Sequence, residues 1–189
     1  MIILEGPDGA GKSTLAERIL NHREGEIESR PDLSFPDRSP DAMSKTVKER
    51  TYEAINYEIG RMSSGQGNPR LYDRLFFSEL VYSRVFGRDC QFTPNQSRYI
   101  TSMIGLNAMV IWCFPPAQLM VDNINRTPQH EGIVTRLQSI VYGYSEMIRL
   151  TPARWRFVYN YADGLDWQRL VPCIESYLDE RARSANVSQ

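Results

Sequence analysis

The chain has 189 residues, 41% of them hydrophobic, and a formal net charge of -1 at pH 7, which gives enough apolar material for one sizeable core and no broad basic surface for nucleic acid. No run approaches the roughly 18 apolar residues of a membrane span. The amino terminus has no basic segment or cleavage site ahead of its first strand, and Cys90, Cys113 and Cys173 are odd in number and widely spaced, so the reading is a cytoplasmic protein with reduced thiols rather than a disulfide frame or a zinc site.

Residues 1 to 5 form an apolar strand, Met1-Ile2-Ile3-Leu4-Glu5, that runs into Gly6-Pro7-Asp8-Gly9-Ala10-Gly11-Lys12-Ser13-Thr14. This is the G-x-x-x-x-G-K-S pattern of a phosphate-binding loop. Glycines let backbone N–H groups of residues 6 to 14 turn inward around phosphate oxygens, Lys12 neutralises the outer phosphates, Ser13 can ligate magnesium, and the following helix points its positive end at the anion. Leu15, Ile19 and Leu20 recur at helical spacing, predicting a helix over 12–22. The charged, Pro-containing segment 25–40 reads as a functional loop. Met43, Val47, Tyr52, Ile55, Ile59 and Met62 predict a helix over 41–63, stopped by the Gly- and Pro-containing run 63–69.

Arg70-Leu71-Tyr72-Asp73 reads as a short strand ending in an acid, followed by helices over 78–86 and 94–104. Ala108 to Phe114 is a continuous apolar run of the kind found in buried parallel strands. Helices over 116–126 and 132–149, a strand over 156–161 and a terminal helix over 167–183 complete the order, with 184–189 as a flexible tail. Strands alternating with helices predict an α/β fold, a parallel sheet flanked by helices in a single domain over 1–183.

Three matches then resemble thymidylate kinases, nucleoside monophosphate kinases with a phosphate loop. Glu5 to Thr14 is similar to the family's E-G-x-[DE]-x-A-G-K-[ST]-T opening, Phe35-Pro36-Asp37-Arg38-Ser39 to its F-P-[DE]-R-[ST] element, and Asp73-Arg74-Leu75-Phe76-Phe77-Ser78 to its D-R-Y-x-x-S. The resemblance covers about residues 1 to 165, with shorter spacers between Arg38 and Asp73. It implies that Arg38, beside Phe35, holds the acceptor phosphate, that Arg74 sits between acceptor and donor phosphates, that Asp8 lies near the acceptor sugar, and that Tyr82 is a bulky ring disfavouring ribose. It also implies that Tyr57 and Arg61 stack on and bond a thymine ring, and that the protein is a homodimer packed through helices beside the sheet.

The residue types suit that chemistry. Phosphoryl transfer is mainly positioning and charge neutralisation, and the planar fork of Arg38 or Arg74 makes two charge-assisted bonds to a phosphate at once. Tyr57 and Arg61 stand four residues apart and share one helix face. Asp73 closes a strand at the place from which an acid orders magnesium-bound water, and Ser78, Glu79 and Tyr82 lie close enough on one helix to line an acceptor pocket. Gly9 stands where some thymidylate kinases carry a catalytic arginine, so the balancing charge is expected from a lid over 126–133: Arg126 first, Arg136 in reserve.

The expected activity is transfer of the ATP γ-phosphate, with Mg2+, to a dTMP-like pyrimidine deoxynucleotide. A second reading, similar to viral (phage) kinases related to this family, is phosphorylation of a hydroxymethylated pyrimidine, as modified nucleotide or within DNA. A third, a nucleotide-binding switch, lacks the N-K-x-D guanine signature.

Overall fold

The computed structural model describes residues 1–29, 39–64, 67–126 and 132–187. Five parallel strands form one sheet in the order β2-β3-β1-β4-β5, with β1 Ile2–Glu5, β2 Glu28–Ser29, β3 Arg70–Asp73, β4 Met109–Cys113 and β5 Trp155–Tyr159. The helices are α1 Lys12–His22, α2 Pro40–Ser64, α3 Phe76–Phe86, α4 Pro94–Asn107, α5 Ala117–Arg126, α6 Ile133–Leu150 and α7 Asp166–Val187.

β1 and β4 are buried at every position because helices cover both faces of the sheet, which is why β4 and the first three residues of β1 read as apolar runs. Glu5 and Trp112 stand opposite each other in the β1–β4 register. On their face Trp112 packs on Phe77 of α3 and Tyr144 of α6, while α7 covers the other face, with Tyr177 edge-on to Trp155. One hydrophobic core joins residues from β1 through α7.

Two expectations change. The segment read as a loop over 25–40 contains β2, whose Glu28 and Ser29 pair with Arg70 and Leu71; two residues are too few for a periodic pattern. The terminal helix continues to Val187, beyond the expected end at 183: no glycine or proline interrupts Arg181 to Val187, and nothing in the sequence stops the helix. No helix among the described residues is long and apolar enough to cross a membrane, and all three cysteines are unpaired.

β1 lies between β3 and β4, where the chain order reverses. In open parallel sheets the crevice at such a switch point, beyond the carboxyl ends of the strands, is where ligands bind. Glu5 and Asp73 end their strands at that crevice.

Candidate phosphate-transfer site

Residues 6 to 11 connect β1 to α1 as a tight loop. Gly6 has φ +150°, and a Cβ there would lie 2.2 Å from the Cys113 carbonyl oxygen; Gly9 has φ +72°, and its Cβ would meet the Met120 carbonyl at 2.5 Å. Both positions demand glycine, because the loop is pressed between the end of β4 and helix α5. Asn123 of α5 strengthens the second contact, its side-chain amide donating to Gly9 O and Tyr161 Oη, each at 2.8 Å. The Tyr161 ring lies against Gly11, which precedes α1.

Lys12 is buried, and its ammonium donates to the loop carbonyls of Gly6 (3.1 Å) and Pro7 (2.7 Å). Burial pushes its pKa down to about 8; Arg74 adds to the fall, while Asp73 and Asp8 oppose it. Ser13 Oγ donates to Asp73 Oδ2 at 3.1 Å. The other carboxylate oxygen, Asp73 Oδ1, is buried and has no hydrogen-bond partner. A hydroxyl beside a half-satisfied carboxylate fits Mg2+, which takes hard oxygen ligands and is completed by water and substrate phosphates rather than by a protein cage. No cluster of three or more His, Cys, Asp or Glu side chains that could hold a metal occurs among the described residues. Ala10 is buried beneath the loop, and Thr14 is exposed on α1.

Arg74 follows Asp73 at φ +66°, the only non-glycine residue with positive φ among those described. Its guanidinium pairs with Asp8 Oδ1 at 2.6 Å and donates to Tyr144 Oη at 3.1 Å and to Ser78 Oγ and Tyr82 Oη at 3.4 Å. Tyr82 Oη also donates to Asp8 Oδ2. Burial alone would lower the Arg74 pKa, yet Asp8, Tyr82 and Tyr144 raise it, so the group stays charged. The same burial pushes the Tyr82 and Tyr144 phenols up and keeps them as neutral donors. Asp8, Asp73, Arg74, Ser78 and Tyr82 thus come together beside the phosphate loop.

Other expected residues lie elsewhere. Ser44, near the start of α2, bonds Glu79 in the first turn of α3 at 3.1 Å; Tyr57 follows more than three turns later, about 20 Å along the axis. Its hydroxyl donates to Asn68 O at 3.2 Å, and the Arg70 guanidinium covers its ring at 3.3 Å from the centroid. Arg61 pairs with Glu58 at 2.7 Å, and Glu58 is 3.0 Å from the Met1 amine. Tyr57 and Arg61 therefore sit at the amino-terminal edge of the sheet, away from the loop, because α2 runs antiparallel to the strands and they occupy its far end. Glu79 is engaged by Arg88 through two 3.0 Å bonds and ties α2 to α3 instead of lining a pocket. Phe35, Arg38 and lid residues 127–131 lie outside the described residues. Arg126 ends α5 exposed, and Arg136 lies 4.6 Å over the Phe86 ring, which stacks on Tyr82.

Sequence reasoning missed Tyr144, Asn123, Tyr161 and any role for Glu5. Glu5 alone leaves a trace, as the single charge in an apolar strand; the others reach the site from distant helices and loops.

No family model and no curated protein matches the sequence. Solved structures do. The chain is similar to YorR protein from Bacillus subtilis, in complex with phosphorylated GDP, at 18% identity and TM-score 0.62 over 92% of this chain and 95% of that one. It is similar to deoxyadenosine kinase from M. mycoides with bound dCTP at 15% identity and TM-score 0.56, over 93% and 100%. For shikimate kinase from Acinetobacter baumannii with shikimate the values are 14% and 0.56, over 93% and 92%. The parallel sheet, its helices and the glycine loop at the end of β1 have the fold of the phosphate-loop kinases.

Proposed function

We propose that the protein is an ATP- and Mg2+-dependent phosphotransferase of the nucleoside monophosphate kinase type, acting on a dTMP-like pyrimidine deoxynucleotide. The observation that carries the reading is the meeting, at one crevice, of a buried Lys12 in a phosphate loop and a guanidinium, Arg74, held on a separate strand end. Backbone amides of residues 6 to 14 and Lys12 bind the donor phosphates, and Ser13 and Asp73 would hold the metal, which offsets charge building on the phosphates. Arg74 leaves Asp8 to bridge the transferring and accepting groups. Arg38, with Phe35, holds the acceptor phosphate, and Arg126 supplies further positive charge. Tyr82 borders the acceptor sugar, and the resemblance to thymidylate kinases makes a homodimer the expected assembly.

A second reading has an observation in its favour. Tyr57 and Arg61 are engaged away from the crevice, so the base-holding pair for free dTMP is missing, while the Asp8 carboxylate stands beside Arg74. Asp8 could accept the proton of a hydroxymethyl group as its oxygen bonds the γ-phosphorus and the bond to the β-phosphate oxygen breaks, releasing ADP.

Labelled γ-phosphate from ATP, offered to dTMP, dCMP, hydroxymethyl-dUMP and hydroxymethyluracil-containing DNA, tests both. Transfer to a free pyrimidine monophosphate supports the first reading and labelling of modified DNA alone the second; no transfer to any acceptor overturns both.

A further inference from the structure

Phosphate binding requires no carboxylate at the end of β1, yet Glu5 is fully buried there. Its Oε1 accepts the Leu75 backbone N–H at 2.9 Å and its Oε2 accepts Ser78 Oγ at 2.6 Å. Leu75 is the N-cap of α3 and offers no side-chain cap of its own. Ser78 Oγ in turn receives Arg74 Nη1 at 3.4 Å and shares a 2.9 Å bond with Tyr144 Oη. Arg74, with its left-handed backbone, lies between Asp73 and this cap.

We infer that Glu5 is a positioning residue, a helix cap supplied from the neighbouring strand that holds the Asp73-Arg74-Leu75 turn and so aims the Arg74 guanidinium at the crevice. The inference rests on the reading of Arg74 as the group that bridges the phosphates. A non-glycine residue in the left-handed region is strained and persists only where its surroundings fix it. Glu5 does so on both sides of the helix start, with a carboxylate facing the positive end of α3, where an anion is favoured. Glutamine is a poor substitute. Both partners donate, and an amide has one acceptor oxygen and would turn its NH2 toward the second donor. Burial pushes the Glu5 pKa up, and Ser78, Leu75, Arg74 and Lys12 each work against that rise. Because Glu5 immediately precedes Gly6, one residue ties the donor loop to the acceptor-side arginine.

The test is a double-mutant cycle of Glu5→Gln with Arg74→Ala, read by steady-state kinetics and by hydrogen exchange. In the wild-type background Glu5→Gln should lower kcat with the best acceptor by at least about tenfold while the KM for ATP stays within about twofold. In the Arg74→Ala background the same change should alter kcat by less than about twofold, since the residue it acts through is gone. Amides of residues 74–78 should exchange at least about tenfold faster in Glu5→Gln, with residues 109–113 unchanged. Equal losses in both backgrounds, or unaltered exchange over 74–78, would overturn the inference. Ser78→Ala removes one of the two donors and guards against a Glu5 variant that does not fold; it should give a smaller loss of the same kind, and no loss counts against the proposal. Failure of the functional reading is distinguishable, because wild-type protein would then transfer phosphate to no acceptor while the exchange measurement still reports on Glu5.

Discussion

Lys12 holds its ammonium against the carbonyls of its own loop, a place that ATP phosphates would take over. Lys12→Ala is expected to abolish phosphate transfer while circular dichroism stays near wild type, since the hydrogen bonds of its side chain go to carbonyls of its own loop. The pH dependence has a definite sign. With the pKa near 8 in the free protein, the ammonium is charged below that value and neutral above it, so ATP affinity should hold at lower pH and weaken roughly tenfold per unit as pH rises past about 8. Folding stability moves the other way. The folded pKa lies below the ordinary lysine value of 10.5, so the unfolded chain binds more protons between the two values and stability rises with pH across that window. Calorimetric titration with Mg·ATP between pH 6.5 and 9.5 checks the first trend; a flat profile would remove Lys12 from the donor phosphates.

At the scale of elements, α3 is the piece on which the site depends. Its first turn carries Ser78, its next Tyr82, and it is wedged against α6, where a Cβ on Gly143 would stand 3.0 Å from Val81 Cγ1. A larger side chain there must push the two helices apart. Gly143→Leu is expected to cost about 1–3 kcal/mol by overpacking, lowering Tm by about 2–4 °C per kcal/mol for a domain of this size. It should also lower kcat, because Tyr144, the next residue, bonds Arg74 and Ser78. Differential scanning calorimetry with parallel kinetics reads both effects, and an unchanged Tm would mean that the helix contact is looser than its geometry requires.

Across the whole molecule, the parallel sheet separates two edges with different duties. The carboxyl edge collects the loop, Asp73 and Arg74; the amino edge collects the Arg61–Glu58–Met1 amine network and, separately, Tyr57 with Arg70 and Asn68. Tyr57→Ala should therefore leave acceptor KM unchanged and cost about 0.5–1 kcal/mol of stability from the lost contact with Arg70, measured by urea unfolding beside kinetics. A rise in acceptor KM would return Tyr57 to substrate binding.

The order of helices and strands, the parallel sheet and the glycine loop could be read from the sequence because they rest on local physics. Apolar runs mark strands covered on both faces, 3.6-residue spacing marks helices, and a turn around phosphate needs glycines at fixed positions. That Asp73 ends a strand and that Ser78 and Tyr82 share the helix after it was legible for the same reason, whereas the part expected of Arg74 came only from the resemblance to thymidylate kinases. Tertiary structure decided the rest. The two-residue β2 pairs only because β3 lies beside it, and Tyr57 and Arg61 share a helix face that sequence can identify without fixing how far along the sheet it lies. Glu5 finds partners at residues 75 and 78 and Tyr144 reaches Arg74 across 70 positions, since a buried charge or hydroxyl is satisfied by whichever donors folding brings near, and spacing along the chain does not encode that.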